Sequence, residues 1–342
     1  MAEIREQSRV SHDVNRAQMS GQIKTRALAS GFDKVGIVRV DALLPEQAHL
    51  KKWLDRGYYG EMSWMARASE QRTDPREVFP EAKSVIAVAL NYYTPHQHEV
   101  STTRVSVWDQ DASLNGKISR YAWGDDYHEI IGEKLRALLE WITAQWPEAK
   151  GKVCVDTQPL MDKAWAARAG LGWIGKHTNL ITRDYGSWVF LGELLLNLEL
   201  AFDREEIADQ CGSCALCIEA CPTGAIVEPY VLDSNLCISH ATIESRVPEM
   251  RTDVAEKLEG WFYGCDICQD VCPWNQMTPV TNESRFEPRA GNVNASLLEI
   301  LELTPETYAA RFSHSAMKRA KLAGLQRNAR SLQDPSAGGA AY

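Results

Sequence analysis

Apolar positions in the first half of the chain alternate between helical and strand spacing. From about Asp13 to Ser30 they recur every three to four residues, and Gly31 supplies the stop. Lys34 to Val40 reads as a short strand, and Pro45 to Arg56 as an amphipathic helix ended by Gly57. Lys83 to Leu90 is so continuously apolar that it predicts a buried strand. Ile131, Leu135, Leu138, Leu139 and Ile142 keep helical spacing, Lys152 to Asp156 predicts a strand, and Lys163 to Ala169 a helix. Trp188 to Leu196 reads as a central strand, and Glu299 to Arg311 as one helix. Helices alternating with strands predict an α/β or α+β core.

Polar residues that interrupt this pattern are the first candidates for chemistry. Asp125 and Asp126 stand where the long helix begins, which suits either N-capping or a place in a cleft. His128, one turn in, reads as a surface or core histidine. Asp156 ends a strand ahead of a turn and a helix, where α/β folds tend to put ligands, and is a candidate general acid. Asp162 is expected to cap the helix that follows. Gly170, Gly172 and Gly175 spell G-x-G-x-x-G, but the loop follows a helix, so the dinucleotide fingerprint is not met. Cys154, alone within a strand, reads as a small buried hydrophobe.

The strongest signal is the cysteine pattern, since eight of nine cysteines fall between Cys211 and Pro273. Cys211, Cys214, Cys217 and Cys221-Pro222 form the C-x2-C-x2-C-x3-C-P run of bacterial ferredoxins; Cys265, Cys268 and Cys272-Pro273 repeat its second half, with Cys237 supplied early. The fourth cysteine of each run ligates the other cluster, which assigns Cys211, Cys214, Cys217 and Cys272 to one 4Fe-4S site and Cys237, Cys265, Cys268 and Cys221 to the other. Structural zinc would want separated cysteine pairs, and a disulfide framework a short secreted chain.

Composition narrows the setting. With 342 residues, 44% hydrophobic, the chain has room for two domains with ordinary cores, and the cluster module needs only a fraction of it. A net charge of −9 excludes a global basic field, so any polyanion must meet a local patch. One exists: Arg311, Lys318, Arg319, Lys321, Arg327 and Arg330 have no acidic residue among them, which fits a solvated basic face or a phosphate backbone. No secretory or twin-arginine signal, no run of eighteen apolar residues and no low-complexity tract beyond the small-residue tail Ser336 to Ala341 is found, so a cytoplasmic protein is expected.

Two clusters beside a larger domain with one candidate acid suggest an electron route feeding an embedded redox site. The chain resembles the epoxyqueuosine reductases through Arg72-Thr-Asp-Pro75, Trp123-Gly-Asp-Asp-Tyr-His128, Val155-Asp-Thr157, Ala169-Gly-Leu-Gly-Trp-Ile-Gly-Lys176, Asp184-Tyr-Gly-Ser187, Cys237-Ile-Ser239, the two cysteine runs and Gln326-Arg-Asn-Ala329. The resemblance implies an α+β fold: a nitroreductase-like cobalamin-binding α/β core over residues 1–203, a ferredoxin-like two-cluster module over 204–280, and a short basic helical region over 281–342. It further implies that Asp156 is the proton donor to an epoxide oxygen, with a pKa raised by burial beside the corrin. Arg72, Asp126, Tyr127, Asp156, Lys176, Leu180, Tyr185, Ser187 and Ser239 are expected around the cofactor, and Lys318, Arg319, Lys321 and Arg327 on tRNA. Asp126-Tyr-His128 is followed by Gly132, one residue too late for D-x-H-x-x-G, so His128 is not expected to ligate cobalt. Electrons from an external low-potential donor would pass through the clusters to cobalamin, in a monomer that converts epoxyqueuosine to queuosine in a tRNA anticodon loop. Some relatives continue into helical repeats that hold tRNA, whereas this chain ends soon after Arg330. A corrinoid reductive dehalogenase and a ferredoxin-like electron carrier are the alternatives; the first would normally carry a twin-arginine signal.

Overall fold

The computed structural model describes residues 2–98, 115–203 and 207–335, with side chains from residue 14 onward. The tail at 336–341 lies outside the described residues. Eleven short strands are seen among those residues: β1 (Lys34–Arg39), β2 (Ser84–Asn91), β3 (Asn115–Ile118), β4 (Gly151–Cys154), β5 (Trp173–Ile174), β6 (Leu180–Ile181), β7 (Val189–Leu196), β8 (Ile226–Glu228), β9 (Val231–Leu232), β10 (Trp261–Tyr263) and β11 (Asn294–Ser296).

The main sheet has the order β1-β2-β7-β4, and every pair in it is antiparallel. Asp156 therefore does not owe its place to the switch point of a parallel sheet; it lies two residues beyond β4, in the turn toward the next helix. All eight residues of β2 are buried because both faces of the sheet are covered. Ile86, Val88 and Leu90 face the helices Ala2–Ala29 and Tyr127–Gln145. Val85, Ala87 and Ala89 face the helix Asp162–Arg168 through Trp165 and Ala166. The second face uses small residues, so its helix approaches closely: a Cβ on Gly36 would lie 2.0 Å from the Ala169 carbonyl.

A second sheet has the order β10-β3-β11. It takes one strand from each of the three segments expected from the sequence, so the cluster-bearing and C-terminal stretches share a core with the first. Phe262, Ala295, Leu297, Phe312 and Leu325 fill that core. The stretch Glu299 to Arg311 forms two helices, Leu297–Leu301 and Pro305–Arg311, because Thr304 caps the second and Pro305 opens it. Among the described residues no helix is long and apolar enough to cross a membrane.

Candidate functional site

Asp156 is held in place by its neighbours. Its backbone has φ +50°, a left-handed conformation that costs a non-glycine residue about 1–3 kcal/mol and recurs at functional loops. Tyr127 Oη donates to Asp156 Oδ2 at 2.7 Å, and His128 Nε2 lies 3.6 Å from the same oxygen. Asp126 caps the helix by accepting from the His128 N–H, and its Oδ1 also pairs with His128 Nδ1 at 2.6 Å. Capping and participation in the cleft are thus one arrangement. Tyr127 is clamped between His128 and Phe190, with ring centroids 4.0 and 4.3 Å away. Asp125 pairs instead with Arg289.

In the protein alone, without a corrin beside it, Asp156 has a lowered pKa rather than a raised one. Dense surroundings act to raise its pKa, but hydrogen bonding to His128 and Tyr127 outweighs this and holds it below the usual carboxylate range. Burial would lower the pKa of His128; Asp126 and Asp156 overcome it and raise it to about 9. The proton near Asp156 therefore resides on the imidazole at neutral pH. His128 has become the central member of the group, with both ring nitrogens facing carboxylates.

The Asp156 side chain is 64% exposed although protein surrounds it closely, which makes it part of the floor of an open cleft. Arg72 belongs to the same cleft: burial lowers its pKa, Asp162 and Asp156 pull it back up, and its guanidinium lies over the Trp64 ring. Its buried Nε has no hydrogen-bond partner among the described residues. Lys163, missed in the sequence, donates to Thr178 O and Asn179 Oδ1 and senses Asp156, Cys268, Asp162 and Cys237. It thus lies within electrostatic reach of both the acid and the second cysteine group.

Several residues expected around the cofactor make contacts within the protein. Lys176 donates to the carbonyls of Gly212 and Cys214, so its charge steadies a cysteine loop. Leu180 is buried in the core beside Leu171 and Ala166. Tyr185 bonds Asp33, just ahead of β1 and so at the edge of the main sheet away from β4. Ser187 is buried and bonded to Gln269 and Asn275, which join the main sheet to the cluster module. Ser239 offers its backbone N–H to the Cys237 thiol. Asp162 does not cap its helix, since Met161 is the N-cap and no side-chain cap bond forms; burial and a neighbouring Glu193 engage it instead. Gly172 serves close packing, its Cβ position being 2.1 Å from the Ile181 carbonyl.

The eight cysteines gather in the two expected groups. Burial pushes the Cys272 thiol up to about 11, helped by Cys211, Cys217 and Cys214. In the other group Cys265 senses Cys268 and Cys237, and Cys237 senses Cys221. Cys268 also senses Cys217, so the groups adjoin. Among the described residues no three His, Cys, Asp or Glu side chains converge as ligands of a single metal ion would. Cys154 is fully buried in the core, as expected.

The basic C-terminal residues separate. Arg327 is only 4% exposed and donates to the Ala241, Ser245 and Val247 carbonyls and to Asn328 Oδ1, so its charge is turned inward onto the protein's own acceptors. Arg319 is forked onto Glu244 at 2.7–3.1 Å. Lys318 and Lys321 are exposed.

Comparison with known proteins agrees with this arrangement. A family model described as Epoxyqueuosine reductase QueG, DUF1730 matches residues 72–157, and a 4Fe-4S double cluster binding domain matches residues 210–275. The epoxyqueuosine reductase of Synechocystis sp. is 48% identical over 86% of this chain and 98% of its own length. That of Cellulophaga algicola is 42% identical over 90% and 96%. The crystal structure of selenomethionine-labelled epoxyqueuosine reductase superposes with a TM-score of 0.82 at 31% identity, covering 92% of this chain and 81% of that one. A crystal structure of epoxyqueuosine reductase with a tRNA-Tyr epoxyqueuosine-modified stem loop gives 0.82 and 31%, over 92% and 80%. Two cysteine groups of 4Fe-4S type, an acid floor within the first matched segment and this likeness over most of the chain agree: the chain belongs to the epoxyqueuosine reductase family.

Proposed function

We propose that the protein reduces epoxyqueuosine to queuosine in the anticodon loop of tRNA, with cobalamin over the cleft floor and electrons delivered from an external low-potential donor through its two 4Fe-4S clusters. The observation that carries the reading is Asp156, open to the cleft and held by Tyr127 and His128, with Lys163 in electrostatic reach of both it and the Cys237–Cys268 group. The conversion consumes two electrons and two protons and releases one water, so it needs a proton source at the epoxide oxygen.

The chain's residues meet that need. His128 holds a proton at Nε2, Tyr127 fixes the orientation of Asp156 Oδ2, and Asp156 delivers the proton. When substrate fills the cleft, loss of water favours the uncharged form of the His128–Asp156 pair, which moves the proton to Asp156 Oδ2. The residues present suit a corrinoid: an open cleft, the orphaned Arg72 Nε to meet a polar substituent, and a floor that offers an acid rather than a histidine ligand. Cobalamin, when bound, supplies the reducing centre that opens the epoxide. Lys318 and Lys321 provide the exposed charge for the tRNA backbone.

The deciding experiment is turnover of epoxyqueuosine-containing tRNA by the reconstituted holoenzyme under reducing conditions. Queuosine formation is expected; unchanged tRNA would overturn the reading. Asp156→Asn should keep both clusters and lose turnover by at least about 10²-fold, and wild-type turnover would remove Asp156 from its role.

A further inference from the structure

Beneath Asp156 lies an acid the mechanism above does not use. Glu193 is fully buried in the central strand β7, opposite Cys154 of β4 and Ala87 of β2. Neither of its carboxyl oxygens has a hydrogen-bond partner among the described residues, and the same holds for the buried Oδ1 of Asp162. The two side chains lie within hydrogen-bonding reach of each other. Asp162 also accepts the backbone N–H of Asp156, which ties it to the strained turn. Three buried oxygens without an N–H donor cannot all belong to carboxylates at tolerable cost; one proton between them supplies the missing donor and removes one charge.

We propose that Glu193 and Asp162 share a single proton at neutral pH and so fix one negative charge beneath Asp156, making them positioning residues for the acid. The groups that face them fit this charge. Cys154 from β4 is neutral and buried, Asp156 faces both acids, and Arg72, Lys163 and Tyr127 surround Asp162. Burial and the neighbouring acids raise Asp162 and raise Glu193 further. Asp162 already accepts an N–H from Asp156 whereas neither Glu193 oxygen has a donor, so Glu193 is the member that holds the proton and Asp162 the one that keeps its charge. That charge opposes the pull of His128 and Tyr127 and keeps Asp156 able to take up a proton. The catalytic consequence rests on the proposed role of Asp156; the shared proton does not.

Infrared spectra of the cluster-loaded protein carrying 13C-carboxyl glutamate test the shared proton directly. At pH 6.5 a protonated-carboxyl band that moves with the label is expected, and it should vanish in Glu193→Gln with cluster absorbance retained. Its absence from the wild type would overturn the proposal without any variant having to fold. The pH dependence of kcat/KM tests the positioning role. Asp162→Asn removes the charge, so the limb along which turnover falls with rising pH should move acidward by about one unit. Glu193→Gln leaves Asp162 charged and should leave that limb in place. A uniform loss of turnover with an unmoved limb in Asp162→Asn would mark the pair as merely structural and overturn the role. If the wild type converts no tRNA, the proposed function fails while the infrared result still decides the proton.

Discussion

His128 shows how much a single side chain can change with its partners. A histidine whose folded pKa is raised contributes stability that is present below its unfolded pKa near 6.5 and lost as pH rises through the folded value. With the folded value at about 9, His128 should stabilise the protein at pH 6 by on the order of 1–2 kcal/mol after solvent screening, and by little above pH 10. Denaturant unfolding of wild type and His128→Phe across that range checks this, and a difference constant with pH would refute it. Asp156 and Asp126 were legible in the sequence because each sits at the junction of two periodic segments. The role of His128 was not, since it depends on a turn bringing Asp156 back against the helix. Glu193 left a visible trace as a charged residue inside an apolar strand; what faces it required the fold. Lys163 left none.

At the scale of the element, the helix Lys321–Gln333 separates two kinds of basic residue that charge counting alone treats alike. Its buried stripe carries Leu325, Arg327, Asn328 and Ala329, and its exposed side carries Lys321 and Arg330. Arg327→Ala should cost about 3 kcal/mol by stranding buried carbonyls and should lower the melting temperature with no separate effect on the salt dependence of tRNA binding. Replacing Lys318 and Lys321 together should leave the melting temperature near that of wild type, weaken tRNA binding and reduce the salt slope by about two. An unchanged slope would return both lysines to the solvated face. The strands and the long helix were legible from periodicity. The break at Thr304 was signalled by Pro305 yet outweighed by the apolar spacing around it.

At the scale of the molecule, the seam between sheet and clusters is narrow and specific. Gly186 has φ +55°, and a Cβ there would lie 1.9 Å from Asn275 Oδ1 and 2.7 Å from the Trp274 carbonyl. Gly186→Ala should destabilise the protein by about 2–3 kcal/mol and lower its iron content, because Trp274 and Asn275 come just after Cys272-Pro273. Full iron content with an unchanged melting temperature would show that the seam tolerates the strain. The cysteine groups were read from spacing because metal ligation is written in local sequence. Their attachment to the sheet was not, because Ser187, Gln269 and Asn275 meet only through the fold.

The sheet β10-β3-β11 also bears on how the protein is made. During synthesis β3 emerges long before β10, and β11 follows only after all eight cluster cysteines are in the growing chain. Both neighbours that β3 requires are thus absent while the first two hundred residues leave the ribosome, so that half must wait with an open edge. Cluster assembly on a nascent chain would proceed before β11 closes the scaffold, and a chain stopped just after Pro273 should collect iron yet stay prone to aggregation. Ribosome-stalled fragments ending before and after Ser296 should differ sharply in protease resistance across residues 115–145, and equal resistance would show that the first half completes itself unaided.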